Sequence, residues 1–342
     1  WHHQGGERGS WTCSGSMRVL DPRFAAASAA LGAALVLLAR RRARRPRRVV
    51  ITGGCGNLGS KLAAHLLRSP EDWSVVLLEH PAFHSDAKVA EGATCVLGDL
   101  ADGGGAWAAA LRGADAVVHF SAVNPYPNAS WEESAASMLH TFNVLLLAER
   151  AGVRRVVLAS SNHVMGGYKE KRSHGLVRPA DPPACGTPLR DPAHLAASGD
   201  AVAYAVAKLT GEQLCKSLAA TRRGLLPGPS YYMLRIGWCQ PGENMPATLS
   251  AAGVPPEFQT QGVGGAAAAA EAEDVDGDWF TGMWLSNRDF LSYFEAALRA
   301  PAPPSGEAVL VNAMSNNTGM RWSLEETVAA LGVAAQDDAR RP

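Results

Sequence analysis

The feature that most restricts the fold of this 342-residue chain is a glycine-rich turn set between two elements of opposite period. RVVIT (48–52) reads as an apolar strand and KLAAHLLRS (61–69) as a helix. Thr52-Gly53-Gly54-Cys55-Gly56-Asn57-Leu58-Gly59 joins them. Gly54, Gly56 and Gly59 give the spacing G-x-G-x-x-G, while Gly53, Gly56 and Gly59 give G-x-x-G-x-x-G. Either parse has the same consequence: a turn poor in Cβ atoms lets backbone N–H groups and a helix N-terminus approach a pyrophosphate. Gly53, Gly56, Asn57, Leu58 and Gly59 are the candidate phosphate contacts.

The alternation begun there continues. WSVVLLE (73–79), TCVLG (94–98), DAVVHF (115–120), RRVVLASS (154–161) and YYMLRIG (231–237) read as further strands. Helical patterns cover about 131–151 and the stretch YAVAKLTGEQLCKSLAA (204–220). Strands alternating with helices imply right-handed crossovers and a parallel sheet covered on both faces. The predicted fold is α/β, a doubly wound parallel sheet (Rossmann fold) with a small C-terminal substrate-binding part. Residues 47–240 would form the dinucleotide domain, with an insertion at 167–200. Residues 241–342 would form the C-terminal part, with a low-complexity insertion at 245–278. The sequence holds no internal repeat.

Net charge needs a local reading. The chain carries 32 basic and 32 acidic side chains, but ten Arg and only two acids fall in residues 1–48. The remainder has a net charge of −8, which argues against nucleic-acid binding. Within 1–46, residues 24–39 (FAAASAALGAALVLLA) are uncharged and RRRARRPRR follows. At 1.5 Å per residue that stretch spans roughly 24 Å as a helix, short of the ~30 Å hydrocarbon core. Two readings fit: a membrane anchor with the Arg run facing the cytosol, or an organelle-targeting segment, Arg-rich and poor in acids. A cleaved secretory signal fits poorly, because most of its charge would follow the apolar core. Six Cys are scattered with no CxxC pair. That spacing suggests reduced thiols, with neither a disulfide scaffold nor a metal site.

Glu79 lies 20 residues beyond Gly59, at the end of the second strand. A carboxylate there accepts from an adenosine ribose 2′-OH and repels a 2′-phosphate, so the expected cofactor is NAD rather than NADP. Tyr204-Ala-Val-Ala-Lys208 sets a phenol and an ammonium on one helix face. An ordinary helix face also carries that spacing by chance. A phenol with a pKa of about 10 is a weak base, and a neighbouring Lys⁺ favours its ionised form. Ser161, ending the fifth strand, is placed to bond a reacting oxygen.

TGGCGNLG, Glu79, Gly98-Asp99-Leu100, HFSA (119–122), Asn143, ASSNHVMG (159–166) and YAVAK together resemble the extended short-chain dehydrogenase/reductase (NAD-dependent epimerase/dehydratase) superfamily, over roughly residues 47–330. The resemblance implies Tyr204 as general acid/base, Lys208 also on the nicotinamide ribose, and Ser161 orienting substrate. It puts Asp99 and Leu100 beside adenine and Ser121 along the cofactor. It also implies a homodimer through the helix pair that includes 131–151 and 204–220.

LRIGWCQPGEN (234–244), MWLSNRDFLSYFEAAL (283–298) and VNAMSNNTGMRWSLEETVAALG (311–332), with ASSNHVMG, resemble the uronate dehydrogenase group more narrowly. There the residues after the Ser, here Asn162 and His163, contact the sugar acid. Two positions depart from the group. The place where the group carries an Arg for the substrate carboxylate falls near Trp279 rather than on an Arg, and Asn124 replaces a Ser. The implied function is an NAD-dependent oxidoreductase of a sugar or sugar acid, such as a hexuronate oxidised to its aldarolactone. A nucleotide-sugar 4-epimerase that retains its NAD and a non-catalytic NAD-binding protein are the alternatives.

Overall fold

The computed structural model describes residues 45–122, 130–186, 202–222, 228–246 and 277–341. The candidate anchor at 24–39, Asn124, residues 187–200 of the first insertion and residues 247–276 of the second lie outside them. Among the described residues no helix is long and apolar enough to cross a membrane. The chain divides after Arg45, and its second unit is Pro46–Pro342.

The second unit is built around a parallel sheet. In chain order its elements are β1 (Arg47–Thr52), α1 (Asn57–Leu66), β2 (Trp73–Glu79), β3 (Thr94–Leu97), β4 (Ala116–His119) and α2 (Trp131–Arg150). Then come β5 (Arg155–Ser161), α3 (Val202–Thr221), β6 (Ser230–Ile236), α4 (Gly277–Gly282), α5 (Asn287–Arg299), β7 (Val309–Ala313) and α6 (Glu325–Leu331). Strand order is β3-β2-β1-β4-β5-β6-β7, every neighbour parallel. Order reverses between β1 and β4, so a crevice opens there at the carboxyl ends of the strands.

The expected doubly wound sheet is present, and its six predicted strands match within a residue or two. The seventh strand is not among the predicted ones. β7 comes from the stretch read as the C-terminal part, and it pairs with β6 from Tyr232↔Val309 to Ile236↔Ala313. That part therefore shares the sheet of the dinucleotide half.

Alternation along the strands builds a core on each face. Val49 and Ile51 join Leu62, Leu66, Leu77, Phe290 and Phe294 on one side. Val50 joins Trp107, Val117, Leu145, Cys215 and Tyr231 on the other. Strands buried on both faces read as continuous apolar runs, which makes them legible in the sequence. A third cluster packs Val164, Met165 and Tyr168, just after β5, against Trp279, Met283, Met314 and Trp322. It fastens the turn after Ser161 to the C-terminal stretch. α2 opens with a capping box in which the Glu133 N–H donates to Ser130 Oγ and the Ser130 N–H donates to Glu133 Oε2.

Candidate active site

The glycine turn after β1 is shaped by close approach. Gly53 has φ +65°, in the left-handed region where a side chain is strained. A Cβ on Gly59 would stand 2.2 Å from the Gly53 carbonyl oxygen. The first turn of α1 has neither a capping side chain nor an acid. Its N–H groups therefore suit a phosphate, and a dinucleotide fits the donor set.

Glu79 is buried and its carboxylate accepts from two backbone N–H groups, Cys55 at 2.8 Å and His80 at 2.9 Å. It thus ends β2 as expected, and it holds the glycine turn to that strand end. The side chains of Asn57 and Leu58 have partners within the fold. The Asn57 amide donates to the Cys239 carbonyl at 3.2 Å, and Leu58 packs on the core. Beyond β3, Leu100 is buried and its carbonyl accepts from Asn143 Nδ2 at 2.8 Å. Asp99 is half exposed and accepts from the Ala101 N–H at 2.8 Å.

At the β4 end a polar chain runs under the crevice. The Ser121 N–H donates to Thr52 Oγ1 at 3.3 Å, and the Thr52 hydroxyl lies 2.7 Å from His119 Nδ1. His119 Nε2 lies 3.0 Å from Thr141 Oγ1, whose own proton goes to the Ser137 carbonyl at 3.0 Å. That direction leaves Nε2 as the ring donor and Nδ1 as the acceptor. Burial, with Lys208 nearby, holds His119 neutral, well below its ordinary pKa. His119 lies within HFSA, but the sequence resemblance assigns a role there to Ser121 alone.

The other end of the crevice gathers side chains from β5, the turn after it, and α3. The phenol of Tyr204 hydrogen-bonds Ser161. The His163 ring meets the Tyr204 ring edge-on, centroids 5.9 Å apart. Lys208 Nζ donates to the Ala159 carbonyl at 2.8 Å and stands 5.6 Å from the Tyr204 ring centre. Four of the predicted residues therefore meet. Asn162 is buried beside them and braces the turn, its amide donating to the Ile236 carbonyl at 3.1 Å.

Burial sets the ionisation of this group. It pushes the Tyr204 phenol up to about 12, with the Ser161 hydrogen bond pulling the other way. It lowers Lys208 to about 8 and His163 to about 4. Behind α3, Arg235 grips Glu212 through two N–H···O bonds of 2.8 Å, both side chains buried. Ser160 donates to the same carboxylate at 2.5 Å. These three lock α3 onto β5 and β6, and no spacing in the sequence announces them.

The departure near Trp279 has a physical form. Trp279 is buried against Trp322, centroids 5.1 Å apart, with the Arg321 guanidinium 5.3 Å above its ring. Arg321 itself donates to the carbonyls of Lys169 at 3.1 Å and Lys171 at 2.6 Å.

Known proteins share this plan. The profile of the NAD dependent epimerase/dehydratase family matches residues 49–225. An L-arabinose 1-dehydrogenase (NAD(P)(+)) of Haloferax volcanii is 28% identical over 295 residues, which is 85% of this chain and 97% of that one. A uronate dehydrogenase of Agrobacterium fabrum is 25% identical over 296 residues, 86% of each chain. Among solved structures, a mutated uronate dehydrogenase superposes with a TM-score of 0.60 at 23% identity, covering 86% of this chain and 83% of the other. That superposition speaks to the fold.

Proposed function

The chain belongs to the NAD dependent epimerase/dehydratase family, and we propose that within it the protein is an NAD-dependent dehydrogenase that oxidises C1 of a free sugar or sugar acid. One observation carries the reading: Ser161 hydrogen-bonds the Tyr204 phenol, and His163 and Lys208 stand against its ring. Likeness to an arabinose and a uronate dehydrogenase along most of the chain supports a free sugar over a nucleotide sugar.

Bound NAD supplies the hydride acceptor. Tyr204 takes the proton of the reacting hydroxyl, and Ser161 holds that oxygen in place through its own hydroxyl. The Lys208 ammonium, 5.6 Å from the Tyr204 ring centre, would oppose the upward push of burial on the phenol and would reach the nicotinamide ribose. His163, neutral at physiological pH, offers a hydrogen bond to a second sugar oxygen. Glu79 would take the adenosine ribose, with the α1 N-terminus on the pyrophosphate and Ser121, Asp99 and Leu100 along the dinucleotide. A hexuronate needs a cation for its carboxylate. The place where such a cation is expected falls near Trp279 rather than on an Arg, so neutral aldoses belong in the test on equal terms.

The test incubates the protein with NAD and separate panels of aldoses, hexuronates and nucleotide sugars, following reduced cofactor by absorbance. Reduction by an aldose or a hexuronate supports the reading. Epimerised nucleotide sugar without net reduction would replace it with the 4-epimerase. Inertness of every panel despite tight NAD binding would replace it with a non-catalytic binder.

We also propose a homodimer through α2 and α3. Trp131, Met138, Leu139 and Phe142 are exposed along one stripe of α2, and Val206 is exposed on α3. Light scattering should find two copies, and Phe142→Glu should leave one.

A further inference from the structure

The spacing of the cysteines argues against a metal site, because no two lie close in sequence. The fold reverses that conclusion. Cys55 in the glycine turn, His84 in the β2–β3 connection and Cys95 on β3 bring their ligand atoms within 4.8 Å of one another. His84 Nδ1 lies 4.0 Å from Cys55 Sγ and 3.7 Å from Cys95 Sγ. The far side of the ring completes the pattern, since His84 Nε2 lies 3.0 Å from Asp86 Oδ1. That carboxylate fixes Nε2 as the donor and turns the Nδ1 lone pair toward the two thiols. A carboxylate behind a histidine is how metal-binding imidazoles are commonly oriented.

We propose that Cys55, His84 and Cys95 form a site for a soft divalent cation of the zinc type, with a fourth position open to water. Two sulfurs and one imidazole nitrogen make a zinc-competent donor set. Binding converts both thiols to thiolates and releases two protons to solvent, with no change of oxidation state. A carboxylate also lies close by, because Glu79 Oε2 accepts from the Cys55 N–H at 2.8 Å. Access is from the His84 side, whose side chain keeps 24% of its exposure while Cys55 is buried. The site ties the glycine turn to the β2–β3 connection, two segments far apart in sequence.

The test uses the full chain, reduced and stripped of metal, titrated with Zn²⁺ against a chromophoric chelator. Co²⁺ serves as a second probe whose visible spectrum reports thiolate ligation. The expected result is one Zn²⁺ per chain, two protons released, and thiolate-to-cobalt bands. Cys95→Ser and His84→Ala should each weaken Zn²⁺ at least tenfold, and Asp86→Asn by about tenfold. Cys185→Ser, at a free thiol elsewhere, should change nothing. Circular dichroism of each variant without metal checks that it folds. Absence of Zn²⁺ binding, or binding unchanged in folded Cys95→Ser and His84→Ala, would overturn the proposal.

Discussion

The two ends of the crevice are built from different material. At the β1–α1 end the ligand-facing groups are backbone: Gly53 at φ +65°, Gly59 pressed on the Gly53 carbonyl, and an uncapped helix start. At the β5–α3 end they are side chains, Ser161, His163, Tyr204 and Lys208, the last three with their ionisation set by burial. A backbone cradle tolerates most side-chain truncations and fails when a Cβ is added. A side-chain cluster fails when one oxygen or one charge is removed. The difference predicts where substitutions act and how strongly.

The largest effect should come from one oxygen. Tyr204→Phe keeps the ring against His163 and removes the hydroxyl. Turnover on the sugar found by the screen should fall roughly 10²–10⁴-fold, the usual weight of general acid/base catalysis, with NAD affinity nearly unchanged. Asn57→Ala at the opposite end should alter turnover and NAD affinity only a few-fold, because its amide reaches the Cys239 carbonyl. Steady-state kinetics with calorimetric NAD titration measures both. Equal losses in the two variants would erase the contrast between the ends.

Next in size is the support behind α3. Arg235→Leu leaves the Glu212 carboxylate buried without its partner and should cost about 3–5 kcal/mol of stability. The double variant Glu212→Leu/Arg235→Met should recover much of that in chemical denaturation. A double variant no better than the single would mean that the pair's geometry, rather than an orphaned charge, sets the cost.

The same contrast governs what can be read from the sequence. The glycine turn is legible because glycine spacing is a direct record of backbone conformation. Tyr204 and Lys208 are legible because a helix places residues four apart on one face. Glu212 with Arg235, Thr52 with His119 and Thr141, and Cys55 with His84 and Cys95 are not. Each set joins residues from separate elements, which only the strand order brings together. β7 escapes notice for a related reason: Val309–Ala313 is short and follows a Pro-rich stretch, and its strand character comes from pairing with β6.

Glu79 is the one side chain at the backbone-built end expected to decide a ligand preference. Glu79→Ala removes the acceptor proposed for the ribose, an interaction on the order of 1.5–3 kcal/mol. NAD affinity should drop about tenfold or more and NADP affinity should not, narrowing the preference between them. Glu79→Gln should fall between, since an amide oxygen still accepts from the Cys55 or the His80 N–H. Calorimetric titration with both cofactors reads the result. An unchanged ratio in Glu79→Ala would leave the carboxylate only its hold on the turn.

The last effect should appear in the pH dependence of folding. Burial lowers His163 to about 4 in the folded protein, against about 6.5 for an exposed imidazole. Between those values the unfolded chain binds the proton that the folded one refuses. Stability therefore rises with pH across that window, and acidification from about 6.5 to about 4 draws the chain toward unfolding. One site contributes at most about 1.4 kcal/mol per pH unit. His119 titrates in the same direction, because burial holds it neutral too, so the two histidines must be separated by substitution. His163→Asn keeps a polar side chain that does not titrate there. Its urea-unfolding free energy should fall less steeply between pH 6.5 and 4 than that of the parent chain, while the two curves run parallel above pH 7. Asn57 carries no titrating group, so Asn57→Ala should leave the slope as it is. An unchanged slope in His163→Asn would place the acid sensitivity on His119 and the polar chain beneath the crevice.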